Sequence, residues 1–291
     1  MSASSYVSQV FIESMNARQI PWHKTWKPGF SGACSWLSGK PYSFLNQCML
    51  RHRDEYIGVQ RAIDEGADFR GVRTERAVWC SVYDKKTGEK DPETGEDKVV
   101  RKFGYRQHSL LPVSLLRLKD GSPFPHHGVP DTPDAAANRL NEGLETILFD
   151  YISQFGVTVR NGAGVDPHYD PESNFISIPS VVRFTSQEAY YAELFRLLVA
   201  STATPLERDF GATTRGRARE ELVREMGSAM LTSAFGIDTE DVFDNSVAYC
   251  EKWIKAFRDD EDAIIRAASA AEKAVNLILG LRNIDINDIV S

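Results

Sequence analysis

Apolar positions recur along this chain with two periods. Tyr6, Val10, Phe11 and Met15 fall at helical spacing within residues 4–18, predicting an amphipathic helix stopped by Pro21. A proline-bounded extended segment follows, then a turn at Ser38-Gly39 and a short helix from about Ser43. Residues 55–69 carry a helical pattern, whereas 77–86 and 99–114 read as two strands joined by a polar, turn-rich tip at 87–97. Prolines and glycines crowd residues 119–133 and predict a domain boundary there. Beyond it the pattern gives a helix over 134–155 and a hairpin over 168–179, then helices over 185–203, 217–235, 244–258 and 260–281. The expected fold class is α+β: a small N-terminal α+β domain over 1–125, then a mostly helical domain with a small sheet over 130–284.

Composition narrows the function classes. The 291 residues are 42% apolar and 26% charged, an ordinary globular balance. No apolar run reaches the ~18 residues of a membrane span, and Met1 to Ser8 has no charged and apolar halves of a secretion signal. Cys34, Cys48, Cys80 and Cys250 stand far apart, which argues against a disulfide framework or a Cys-rich zinc site and suits a reducing cytoplasm. The net charge of −7 is uneven: residues 1–125 hold 19 Lys and Arg against 14 Asp and Glu, so the acidic excess lies in the rest. A basic N-terminal part on an acidic protein suggests nucleic-acid contact limited to that part, though acidic C-terminal helices alone also account for the imbalance.

Two clusters bear on chemistry. In the first, Trp22, Trp26, Trp36 and Tyr42 alternate with His23, Lys24, Lys27, Lys40, Arg51 and Arg53. Single-stranded nucleic acid is held by stacking bases on aromatic faces while cations follow the phosphates, each base contributing ~1–3 kcal/mol. The alternative is that these tryptophans are core residues. In the second cluster, Glu221 and Glu225 share a face of the 217–235 helix. Thermolysin-like zinc enzymes pair such a glutamate with an H-E-x-x-H helix. The preceding helix here has no histidine, no two of the six histidines stand four apart, and two glutamates alone do not make a zinc site. Arg208, Arg215, Arg217 and Arg219 form a basic run compensated by Glu220 and Glu221, and His126-His127 reads as part of a loop.

In order along the chain, IPWHKTW, SGKPYSFLN, DEGAD and RKFGYRQHSLLPVS resemble the N-terminal single-stranded DNA-binding domain of the ArdC family of antirestriction proteins. HYDPESNFISIP, FTSQEAYYAELF, EELVREMGSAML and the helical tail resemble that family's zincin-like metallopeptidase domain, found in phage polyvalent proteins. The resemblance implies a single-stranded DNA-binding counter-defence protein of a mobile element, acting in a bacterial cytoplasm. On the family motif, Arg196 and Ala200 occupy the two His positions and Leu197 that of the general-base Glu. Glu221 falls at the third-ligand position and Glu225 where a carboxylate orients a ligand. The resemblance thus implies a metallopeptidase-like domain without activity, metal or cofactor, serving as a scaffold or docking surface. Arg196 is expected to pair with Glu221 or Glu225, a guanidinium replacing the metal's charge. In the N-terminal motif, Asn46 is kept while Ser43 replaces a basic residue. Two other readings stand beside this one: a protein-interaction inhibitor of a host defence enzyme without DNA binding, and a metal-dependent hydrolase with a relocated site.

Overall fold

A computed structural model describes residues 1–23, 32–90, 97–128, 143–162, 166–209, 213–237 and 250–281. The predicted helical positions 134–142 and 244–249 lie outside these, as do Lys24, Trp26 and Lys27 of the proposed stacking segment.

Helix α1 runs Ala3–Asn16, with Ser2 accepting the Ser5 N–H at 2.9 Å as its cap. Val7, Phe11 and Met15, four residues apart, are its buried stripe. The chain leaves α1 through Arg18 at φ 58° and enters a 3₁₀ turn, Pro21–His23, where an extended segment was expected. Strand β1, Cys34–Ser35, pairs parallel with β2, Glu55–Gly58. Between them lies α2, Phe44–Met49. The helix expected over 55–69 shrinks to α3, Val59–Asp64, flanked by β2 and by β3, Ala67–Asp68. Tyr56 and Ile57 find ladder partners in the sheet, and tertiary pairing overrides the local helical pattern.

The hairpin of β4, Glu75–Lys90, and β5, Asp97–Pro112, completes a sheet of order β1-β2-β5-β4. Strand β6, Arg117–Leu118, pairs with β3. The second half opens with α4, Leu144–Phe155, which stops at Gly156, in the left-handed region at φ 62°. Strands β7, Thr158–Gly162, β8, His168–Asp170, and β9, Phe175–Pro179, form a sheet of order β7-β9-β8, with β7 parallel and β8 antiparallel to β9. Helices α5, Gln187–Ser201, α6, Thr214–Ala234, α7, Cys250–Asp259, and α8, Ala263–Ile278, complete the α+β architecture. No helix among the described residues is long and apolar enough to cross a membrane.

The largest core does not respect the boundary read from the sequence. Val7, Phe11, Met15, Trp22, Phe44, Leu45 and Val78 from the N-terminal half are buried in one cluster with Leu198, Met226, Trp253, Phe257 and Val275. Seryl hydroxyls of α1 tie it to the turn before α8: Ser5 Oγ donates to Glu261 Oε1 at 2.8 Å and Ser8 Oγ to the Glu261 carbonyl at 2.9 Å. Helix α2 is anchored similarly. Ser43 Oγ accepts the Asn46 Nδ2–H at 3.1 Å rather than capping the backbone, and Glu272 of α8 accepts the Phe44 N–H at 3.3 Å.

Burial holds the Glu272 carboxyl up at about 7. A carboxyl raised in the folded state favours folding while protonated, and that advantage fades as pH climbs from the ordinary glutamate value through 7. Wild type is therefore expected to lose about 1–3 kcal/mol between pH 5 and pH 8 through this group, and Glu272→Gln to remove that part of the slope. Urea denaturation of both proteins at the two pH values checks it.

Candidate functional site

Helices α5 and α6 lie against each other where Gly227 faces Val199; a Cβ on Gly227 would stand 2.7 Å from Val199 Cγ2, so only glycine permits this approach. On α5, Leu197, Val199 and Ala200 are all buried and fill the interior. Arg196 projects toward α6. Its Nε lies 3.1 Å from Glu225 Oε2 and its Nη1 3.6 Å from Glu193 Oε2, so the pairing expected of it is made with Glu225. His23, delivered by the 3₁₀ turn, reaches the same place: burial lowers its pKa, and the nearby Glu225 charge opposes that. Burial raises the Glu193 carboxyl, with Arg196 acting against the shift.

A second ion pair continues the lattice. Arg208 grips the buried Glu220 with Nη2 at 2.9 Å and Nε at 3.3 Å, and also donates to Thr202 Oγ1 and the Val199 carbonyl. Arg224 Nε stands 3.7 Å from Glu220 Oε1. Glu220, rather than Glu221, is thus the main compensating partner of Arg208. Glu221 is half-buried and acts on the Arg224 charge.

The donor set does not suit a divalent cation. Where a metal needs anionic or neutral donors, a guanidinium is seated on Glu225. Among the described residues no group of three His, Cys, Asp or Glu is placed to hold an ion. Among the described residues, the cleft is lined by paired fixed charges, Arg196 with Glu225 and Arg208 with Glu220.

The residues read as a nucleic-acid surface divide sharply. Trp22 is 1% exposed, its ring 5.3 Å from that of Trp253 and 6.1 Å from that of Phe11. It is a core residue, and the stacking role expected of it is corrected. Asn46 is buried with its amide spent on β4: Nδ2 donates to the Val78 carbonyl at 2.9 Å and Oδ1 accepts the Val78 N–H at 2.8 Å. It thereby mimics a strand partner of β4. Trp36 is half-buried, donates Nε1–H to the Pro125 carbonyl at 2.8 Å and packs against Phe124 and His127. It thereby pins the Pro- and Gly-rich segment expected to mark the domain boundary, aided by Glu55, which accepts the His127 N–H.

Lys40, Arg51 and Arg53 are exposed. Glu75 shapes the loop carrying the two arginines, accepting the Arg51 N–H at 2.7 Å and the Tyr56 hydroxyl at 3.1 Å. Tyr42 joins an aromatic column. Its ring stacks 6.4 Å from Trp79, and Trp79 stacks on His108 at 3.6 Å and 9°. Trp79 pairs with Arg106 and Ala77 with His108, so the pleat puts Trp79, Arg106 and His108 on one face of the hairpin. Burial and the Arg106 charge hold the His108 ring toward its neutral form. Trp79, Arg106 and His108 were not picked out in the sequence. Their signal was alternate spacing on two paired strands, which is visible only once the register is known.

Residues 148–270, from within α4 to within α8, match the MPTase-PolyVal family model of zincin-like metallopeptidases. Across 97% of its length the chain has the fold of the antirestriction ArdC protein from plasmid R388. Its metal-free crystal structure superposes with a TM-score of 0.69 at 22% identity and is covered completely. That protein's Mn(II)-bound structure gives 0.67 at 22% identity, over 96% of this chain and 98% of that one. In sequence, the chain is 26% identical over 295 residues to a DNA primase TraC of Escherichia coli, covering 97% of this chain and 27% of the relative. A second Escherichia coli TraC is 26% identical over 300 residues, covering 97% and 20%. The chain thus spans about a quarter of the length of these curated relatives.

Proposed function

We propose that this chain binds single-stranded DNA through the outer face of its N-terminal sheet and serves a mobile element in antirestriction, with its metallopeptidase-like half acting as a scaffold without hydrolytic activity. The observation that carries the reading is the Tyr42–Trp79–His108 column with Arg106 beside it and the exposed Lys40, Arg51 and Arg53 in the same half. Stacking on aromatic rings between cations is sequence-tolerant and suits a protein that must cover whatever strand enters a cell. The likeness to the ArdC fold supports the antirestriction role, and Arg196 seated on Glu225 supports the absence of hydrolysis. The bacterial cytoplasm is where incoming single strands meet restriction, and a host restriction or defence protein is the second partner such a scaffold would meet.

Anisotropy of a labelled 20-nucleotide strand, with duplex as control and a salt series, tests the proposal. Preferential single-strand binding that weakens steeply with salt is the expected result. A salt-insensitive complex with a host defence enzyme and no DNA affinity would favour the inhibitor reading instead.

A further inference from the structure

The inner face of the β4–β5 hairpin looks toward the C-terminal helices. Val82 pairs with Phe103 and Cys80 with Tyr105, so these four alternate with the outer-face residues. Phe103 is 76% exposed and Val82 48%, leaving an apolar strip beside Tyr105. Tyr105 forms one wall of a groove of about 220 Å³ whose other walls are Leu206, Arg208, Arg266, Ser269 and Lys273.

Three cations converge on this groove in the half of the molecule where acidic residues dominate. Two are fixed by neighbours: Arg208 by Glu220, Thr202 and Val199, and Arg266 by Asp260 and Asp262. Those contacts hold both guanidinium planes in place and take up most of their donors, so their part toward an anion is attraction at a distance rather than a bidentate grip. Lys273 is exposed at the rim. A ring, an apolar floor, a hydroxyl and convergent cations together match the parts of one nucleotide: a base to stack, a sugar to rest on apolar surface, a phosphate to neutralise.

We infer that this groove between the β4–β5 hairpin and α8 is a nucleotide-binding site, taking a phosphate with its base laid against Tyr105 and Phe103. It lies on the opposite face of the hairpin from the aromatic column and holds whether or not that column binds DNA. The nucleotide has two sources, a free mononucleotide or one unit of a bound strand, and both share the phosphate-and-base chemistry.

Calorimetric titration of the full chain with 5′-dAMP addresses the first source, and a salt series with a (dT)20 strand the second, each on wild type and on Lys273→Glu. Saturable dAMP binding that falls at least about tenfold in the variant is the expected result for a free nucleotide. A (dT)20 salt slope reduced by about one in the variant is the expected result for a strand phosphate. Absence of dAMP binding to wild type together with equal slopes for both proteins overturns the inference. If wild type binds no (dT)20 at all, the proposed function fails and the dAMP arm alone decides the groove. Lys273 is exposed on a helix, and a circular-dichroism melt confirms that the variant folds.

Discussion

Trp79→Ala is expected to weaken binding of a 20-nucleotide single strand about tenfold or more, while the protein keeps its fold. Trp79 is the middle ring of the column, stacked on His108 and on Tyr42, so its loss removes support for both ends. Each base stacked on an aromatic ring is worth ~1–3 kcal/mol, and about 1.4 kcal/mol is a factor of ten. The ladder of the hairpin, thirteen paired positions from Glu75 opposite Leu110 to Lys90 opposite Asp97, is made by backbone and survives the change. Stacking releases few counterions, so the slope of log affinity against log salt should stay as in wild type. Arg106→Ala, beside it on the same face, should do the converse and reduce that slope by about one. Anisotropy titrations of both variants at several salt concentrations separate the two effects.

Trp22→Ala is expected to act on stability instead. The side chain is 1% exposed between Phe11 of α1 and Trp253 of α7, and truncating a buried tryptophan costs about 3–5 kcal/mol. Against a typical total of ~5–15 kcal/mol, that is enough to lower the denaturation midpoint steeply or to unfold the chain near body temperature. Trp22→Phe should recover much of the loss. Urea denaturation measures both. A Trp22→Ala protein with an unchanged midpoint and lost DNA affinity would return this residue to the binding surface.

The contrast between these two tryptophans shows where sequence reasoning reached and where it stopped. Regular periodicity carried the helices at α1, α5, α6 and α8 and the β4–β5 hairpin, because each buries one face over several turns or pairs along its whole length. It overreached at residues 55–69, where pairing of Tyr56 and Ile57 with β5 outweighs a helical pattern six residues long in practice. Aromatic and basic residues close together in sequence resembled a platform, yet Trp22 faces inward because α1 and the turn after it pack onto the helices of the other half. No local pattern announces a contact between residues more than two hundred positions apart. The column at Trp79 and His108 was hidden for the same reason, since its members sit on different strands. The ion pair of Arg196 with Glu225 was legible because a resemblance supplied the position of each residue in the cleft.

On the proposed function, DNA lies on the N-terminal sheet and leaves the metallopeptidase-like cleft alone. Ultraviolet cross-linking of a 5-iodouracil-substituted single strand, followed by mass mapping of the modified peptides, tests it most directly. Adducts on the peptides carrying Tyr42, Trp79 or His108 are the expected result. Adducts confined to the peptides of α5 and α6 around Arg196 and Glu225 would contradict it.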